Sequence, residues 1–157
     1  MNQAKLLIVD DIATNIEVLA NALNLDYQLI IATDGAKALE LARTQLPDLI
    51  LLDIMMPELD GYEVCKRLKA DPITQDIPVI FISAMTNTDD EEQGFAVGAV
   101  DYIHKPFKLA LMRARVKNHV QLKQQADLLR AIAQMQQFGF SETEKLVADI
   151  KQTLEKL

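Results

Sequence analysis

Tryptophan is absent from this chain of 157 residues, and cysteine occurs once, at Cys65. One cysteine cannot form an internal disulfide, so a disulfide-stapled miniprotein is excluded and a reducing compartment is expected. Glycine and proline number five each, too few for a collagen. No apolar run approaches the ~20 residues that span a bilayer, so membrane insertion is not expected. The opening, MNQAKLLIVDD, lacks the apolar core of a secretory signal, and the expected location is cytoplasmic. Base is scarce over the first two-thirds: residues 1–104 carry 6 Lys and Arg against 18 Asp and Glu, a net −12. That balance argues against a general nucleic-acid binder. What is present is 50% hydrophobic and 25% charged, an ordinary globular composition. A chain this long forms about one domain and can bury roughly two-thirds of the surface its unfolded form exposes.

Five short apolar runs recur: residues 5–9 (KLLIV), 28–32 (QLIIA), 49–52 (LILL), 79–82 (VIFI) and 102–104 (YIH). The first four are near-continuous instead of alternating, the pattern of strands buried on both faces. Helical spacing separates them. Ile12, Ile16, Leu19, Ala20 and Leu23 share one face, and Ala38, Leu41 and Ala42 another, with Asp34 as its cap. Val64, Cys65 and Leu68 make a third face, stopped before Pro72. Thr88 and Glu91 have capping-box spacing and open a fourth helix, which contains Gly94 and ends near Gly98. Glycine inside a helix costs ~1 kcal/mol relative to alanine, so this helix is expected to be the loosest. The alternation predicts an α/β fold: a doubly wound five-stranded parallel sheet with helices on both faces and a C-terminal helical extension.

The fifth helix continues without glycine or proline from Leu109 to about Gln137. Leu122, Ala126, Leu129 and Ala133 step as a short heptad seam. Gly139, between Phe138 and Phe140, is the expected stop, and Ser141 with Glu144 forms a second capping box. Leu146, Val147, Ile150, Leu154 and Leu157 then form an apolar stripe. The expected boundary is soft, dividing a domain over 1–120 from an extension over 121–157. Residues 105–130 are basic, with 7 Lys and Arg against one acid. They carry no interleaved aromatics for nucleic acid. The reading instead pairs them with the acidic start of the fourth helix (Asp89, Asp90, Glu91, Glu92), including across a symmetric dimer.

In an open parallel sheet, ligands bind beyond the carboxyl ends of the strands. Those ends carry Asp10 and Asp11 after the first run, Asp53 after the third, Ser83 after the fourth and Lys105 after the fifth. Adjacent strands lie ~4.8 Å apart, so the three carboxylates would converge on one crevice. Crowded carboxylates repel unless a cation joins them, and an all-oxygen set suits Mg²⁺ or Mn²⁺. A carboxylate beside a divalent ion, an ammonium and a hydroxyl is a fit acceptor for a phosphoryl group. Taken singly, each residue has a plainer reading: helix cap, turn residue or solvated charge. Capping alone does not explain five polar residues at four strand ends.

The segments LLIVDD (6–11), PDLILLDIMMPELDGYE (47–63), PVIFISA (78–84) and GAVDYIHKPF (98–107) resemble the receiver domain of bacterial two-component response regulators. The resemblance covers about residues 4–120 and implies a flavodoxin-like fold of strand order 2-1-3-4-5; a chemotaxis regulator of this family is a standing example of that order. It implies that Asp53 is the phosphoacceptor. Asp10, Asp11, Asp53 and the backbone carbonyl of Met55 would be the metal ligands. Ser83 and Lys105 would serve the phosphoryl group, Ser83 and Tyr102 would form the switch, and Pro57 and Gly61 would shape the turn after Asp53. The Lys105–Pro106 bond is expected to be cis. Ala13 and His104 depart from the commoner residues at their positions. His104, like His119, reads as a packed or surface residue, and Cys65 as core.

The implied activity is Mg-dependent acceptance of a phosphoryl group from a sensor histidine kinase or phosphotransfer protein. Reshaping of the face built from helix 4, strand 5 and helix 5 would follow, controlling a partner or a homodimer formed there or through the C-terminal helix. Apart from its own phosphorylation and dephosphorylation, no enzyme activity is expected. One alternative is a receiver-plus-linker fragment of a larger regulator with a cyclic-dinucleotide output domain. An aspartyl-phosphate phosphatase of the haloacid-dehalogenase type would want a second Asp where Met55 stands, and a flavin module would want a phosphate loop where Asp10 and Asp11 stand.

Overall fold

The computed structural model describes residues 3–85, 87–137 and 140–157, with the side chains of 140–143 left aside. Among the described residues, five strands and six helices follow in order: β1 (Lys5–Val9), α1 (Ala13–Leu23), β2 (Gln28–Ala32), α2 (Gly35–Gln45), β3 (Leu49–Leu52), α3 (Gly61–Ala70), β4 (Val79–Ser83), α4 (Thr88–Ala96), β5 (Asp101–His104), α5 (Leu109–Met135) and α6 (Phe140–Leu154). The sheet is parallel throughout, in the order β2-β1-β3-β4-β5. The expected stop at Gly139, its neighbour Phe138, the Phe140 side chain and the Ser141–Glu144 capping box lie outside the described residues.

Strand residues alternate between two cores, because successive side chains point to opposite faces. Leu6, Ile8, Leu49, Leu51, Ile80, Ile82 and Ile103 pack with Leu19 and Leu23 of α1 and Met112, Val116 and Val120 of α5. Leu7, Val9, Ile50, Leu52, Val79, Phe81 and Tyr102 pack on the other side with Ala38 and Ala42 of α2 and Val64, Cys65 and Leu68 of α3. Burying one such Leu, Ile or Val side chain stabilises by about 1.5–3 kcal/mol.

The helix starts both bear out and correct the sequence reading. Asp34 caps α2 by accepting from the Lys37 N–H at 2.7 Å. For α4 the cap is Asn87, which accepts from the Asp89 N–H at 2.8 Å, and not Thr88, which is the first helical residue. Ile12 is the N-cap of α1 and half exposed, so it stands off the apolar face assigned to it. Gly94 is the buried residue of α4. A Cβ there would lie 3.1 Å from ring atoms of both Phe81 and Tyr102, so the glycine lets α4 approach the sheet. Gly98, at φ +106°, ends this segment in a conformation glycine adopts freely.

The chain divides into two compact units, Met1–Lys123 and Gln124–Leu157. In the second, Ile132 and Met135 near the end of α5 and Val147 and Ile150 of α6 line an apolar hollow. Within the heptad seam Leu122 is 51% exposed and Leu129 67% exposed. No helix among the described residues is long and apolar enough to cross a membrane.

Candidate functional site

Register places the acidic residues side by side. Val9 pairs with Leu52 across β1 and β3, so Asp10 and Asp53 leave adjacent strands at the same level. The Asp53 N–H still donates to the Val9 carbonyl at 2.9 Å, and the Asp10 N–H to the Ala32 carbonyl at 3.2 Å. One carboxylate oxygen from each of Asp10, Asp11 and Asp53 lies within 4.8 Å of the others. Asp10 is 2% and Asp53 7% exposed, while Asp11 faces solvent. Three hard oxygen donors at this spacing suit a divalent cation that keeps some of its waters.

Asp10 ties the loop before α1 to the carboxylate cluster. Its Oδ1 accepts from the Ile12 N–H at 2.9 Å; its Oδ2 accepts from Asn15 Nδ2 at 3.1 Å and from Lys105 Nζ at 3.2 Å. Lys105 Nζ is 4.0 Å from Asp53 Oδ2, so the ammonium lies nearer Asp10. Burial is the main reason the Asp53 carboxyl sits above the usual carboxylate range; Lys105 opposes that shift, Asp10 adds to it, and the Ile54 and Met55 N–H groups oppose it.

The loop after Asp53 turns back sharply. The Gly61 N–H donates to the Ile54 carbonyl at 2.8 Å, and a Cβ on Gly61 would fall 2.3 Å from the Asp53 carbonyl oxygen. Only glycine lets α3 begin so close beneath the end of β3. Asp60 caps that helix through the Glu63 N–H, a role the sequence reading missed. Met55, in this loop, is 63% exposed.

Ser83 is fully buried at the end of β4, and its Oγ accepts from the Met85 N–H at 3.3 Å. Tyr102 is buried in β5, and its hydroxyl donates to the Met85 carbonyl at 3.0 Å. The Lys105–Pro106 bond is cis. The basic start of α5 meets an acid the sequence reading did not assign: Asp101 lies 3.3 Å from Arg115 and 3.1 Å from His119. Its signal was faint, a lone Asp just before the fifth run.

A parallel sheet of order 2-1-3-4-5, with three carboxylates, a lysine and a buried serine at its carboxyl edge, defines a receiver-type α/β domain. The response regulator receiver domain model matches residues 6–117, and the chain belongs to that family. A Vibrio cholerae serotype O1 protein named probable cyclic di-GMP phosphodiesterase is 42% identical over 146 residues, covering 93% of this chain and 32% of that protein. Response regulator PleD of Caulobacter vibrioides is 43% identical over 128 residues, 81% of this chain and 28% of that one. The chain thus spans about a third of the length of these curated relatives. Among solved structures, the Francisella response regulator 1452 receiver domain superposes with a TM-score of 0.71 at 31% identity, covering 76% of this chain and 98% of that chain. The Vibrio cholerae chemotaxis protein CheY4 gives a TM-score of 0.70 at 27% identity, covering 74% and 98%.

Proposed function

We propose that Asp53 accepts a phosphoryl group from a phosphohistidine on a sensor kinase or phosphotransfer protein. The gathering of Asp10, Asp11 and Asp53 beside Lys105 is the observation that carries this reading. An Asp53 oxygen forms the new O–P bond as the P–N bond to the donor imidazole breaks. The electron pair of that bond stays on the donor nitrogen. Lys105 moves its charge from Asp10 toward the incoming phosphoryl oxygens, and Ser83 Oγ turns toward them. Asp10, Asp11, Asp53 and the Met55 carbonyl would hold Mg²⁺, or Mn²⁺, which when bound neutralises charge on those oxygens.

Phosphorylation adds about −1.5 to −2 charges at Asp53. Pulling Ser83 toward them frees the Met85 N–H and loosens the loop that carries the Tyr102 acceptor. The face of α4, β5 and α5 then shifts between two packings, biasing a partner or a second copy. Residues 1–120 are read as the switching domain and 121–157 as its helical extension, acting in the cytoplasm. The 146-residue match to a protein named for cyclic di-GMP hydrolysis favours a second reading of the output, in which the extension leads to a domain acting on a cyclic dinucleotide.

Intact mass after incubation with acetyl phosphate and Mg²⁺ tests the site. The unaltered protein should gain one phosphoryl group and Asp53→Asn none. Equal gain by Asp53→Asn, or no gain by the unaltered protein, overturns the assignment.

A further inference from the structure

Asn15 is the third residue of α1 and is half-buried. It lines a hollow of about 190 Å³ with Val18 and Leu19 of α1 and with Lys105, Pro106 and Phe107 beyond β5. Apart from Lys105, its neighbours there are apolar. Leucine also outranks asparagine in helix propensity, so neither the hollow nor the helix accounts for an amide at this position. Its hydrogen bond does: Nδ2 donates to Asp10 Oδ2 at 3.1 Å.

The Asp10 carboxylate is held from two elements. The Ile12 N–H fixes Oδ1, while the Asn15 amide and the Lys105 ammonium share Oδ2. In a capping box the third helical side chain accepts from the N-cap N–H. Here the N-cap side chain, Ile12, makes no such bond, and both the Ile12 N–H and the Asn15 side chain turn back to Asp10. The two donors from α1 are neutral; the one beyond β5 is charged. That difference matters to a cation. An ammonium and a divalent ion repel across a shared carboxylate, whereas an amide orients the carboxylate without adding net charge. Transfer of a phosphoryl group, as read above, also draws Lys105 away from Asp10. Among the described residues, Asn15 is then the side chain that still holds Oδ2.

We propose that Asn15 is a positioning residue for the divalent ion, its amide keeping the Asp10 carboxylate aimed into the cluster with Asp11 and Asp53 whether or not Lys105 is engaged. The role rests on the reading of those three carboxylates as the Mg²⁺ site and adds to it a neutral donor behind one ligand. Groups that orient a metal ligand from behind change affinity by about tenfold or more when removed. Asn15 and Lys105, bonded to the same oxygen, thus act on the ion with opposite sign.

The test is calorimetric titration of the full chain with Mg²⁺ alone, with melting of the metal-free protein recorded beside it. Asn15→Leu suits the apolar hollow and removes the donor. It should bind Mg²⁺ about tenfold more weakly, while its metal-free melting stays within about 2 °C of the unaltered protein. Asn15→Gln keeps an amide and has room in the hollow, so its affinity should return to within about threefold of the unaltered value. In a Lys105→Ala background the loss caused by Asn15→Leu should grow, because no second side chain then holds Oδ2. Unchanged Mg²⁺ affinity in Asn15→Leu overturns the proposal. A loss that Asn15→Gln does not restore, or that comes with a clearly lower metal-free melting temperature, also overturns it, since either marks a merely structural role. Absence of Mg²⁺ binding by the unaltered protein overturns the metal reading itself and the proposal with it. Phosphoryl uptake plays no part in this readout, so failure of uptake counts against the phosphoacceptor reading and not against Asn15.

Discussion

Lys105 stands 3.2 Å from Asp10 but 4.0 Å from Asp53, so the ammonium leans on the carboxylate that is not the proposed acceptor. A cation entering the site must compete with it there. Lys105→Ala should therefore bind Mg²⁺ about three- to tenfold more tightly by calorimetry, because a partly buried like charge has been removed. The same variant should take up phosphoryl far more slowly from acetyl phosphate. Weaker Mg²⁺ binding would show that the lysine positions the carboxylates instead of opposing the ion.

Asp53 links the site to stability. Burial first, and Asp10 as a further cause, raise its folded value, with Lys105 opposing. A raised acid contributes stability that is fully present below the ordinary Asp value of ~3.9 and lost as pH rises through the folded value. Near neutral pH the charged carboxylate is thus a liability. Without divalent ions, Asp53→Asn should melt about 2–4 °C higher than the unaltered protein at neutral pH. The gap should close toward pH ~4, and also with excess Mg²⁺, which stabilises the unaltered form by binding it. Scanning calorimetry measures both, and identical melting without metal would contradict the account.

Two glycines should fail differently. Gly61→Ala forces backbone apart at the Asp53 carbonyl, so it should lower stability by more than about 2 kcal/mol and weaken Mg²⁺ binding. Gly94→Ala meets two ring edges at 3.1 Å. Overpacking should outweigh the ~1 kcal/mol gained in helix propensity, for a net loss of about 1–2 kcal/mol with metal binding unchanged. Urea titration with and without Mg²⁺ separates the two.

Cys65 should be inert. Burial pushes its thiol up to about 11, with Lys69 opposing. In the folded protein its reaction with a disulfide reagent at mildly basic pH should be at least about a hundredfold slower than in urea. Fast native labelling would show that α3 opens locally.

Much of the fold could be read from the chain because apolar runs followed by helical spacing mark a parallel sheet, although only β1, β3 and β4 are buried on both faces; β2, at the sheet edge, buries Ala32 alone and leaves Gln28 and Ile31 exposed. Asp10, Asp11, Asp53, Ser83 and Lys105 were legible for a related reason, since strand ends are where a parallel sheet displays polar groups. Other features were not. Asn87 displaced Thr88 as the cap because both residue types accept from a helix N-terminus, and spacing alone does not rank them. The need for Gly94 depends on the separation of α4 from Phe81 and Tyr102, which sequence does not carry. Asp101, His104 and His119 looked unremarkable because their partners are distant in sequence or in backbone atoms. The stripe at Leu122 and Leu129 had the right period, yet period says nothing about what covers it.

The level alignment of β1 with β3 limits how this protein can be altered. Shifting either strand by two residues keeps its apolar faces in place but carries one aspartate ~7 Å out of reach of the other. Shifting by one turns the apolar faces inside out. Insertions within these strands should thus be ruinous even where the core would tolerate them. Length changes at the opposite rim, around the exposed Asn24–Asp26, leave the spacing of the aspartates untouched, whereas Pro47–Asp48 is no such place, because Asp48 exchanges hydrogen bonds with Lys5 at the start of β1. A designer seeking to lengthen, tag or circularly permute the molecule should begin at Asn24–Asp26.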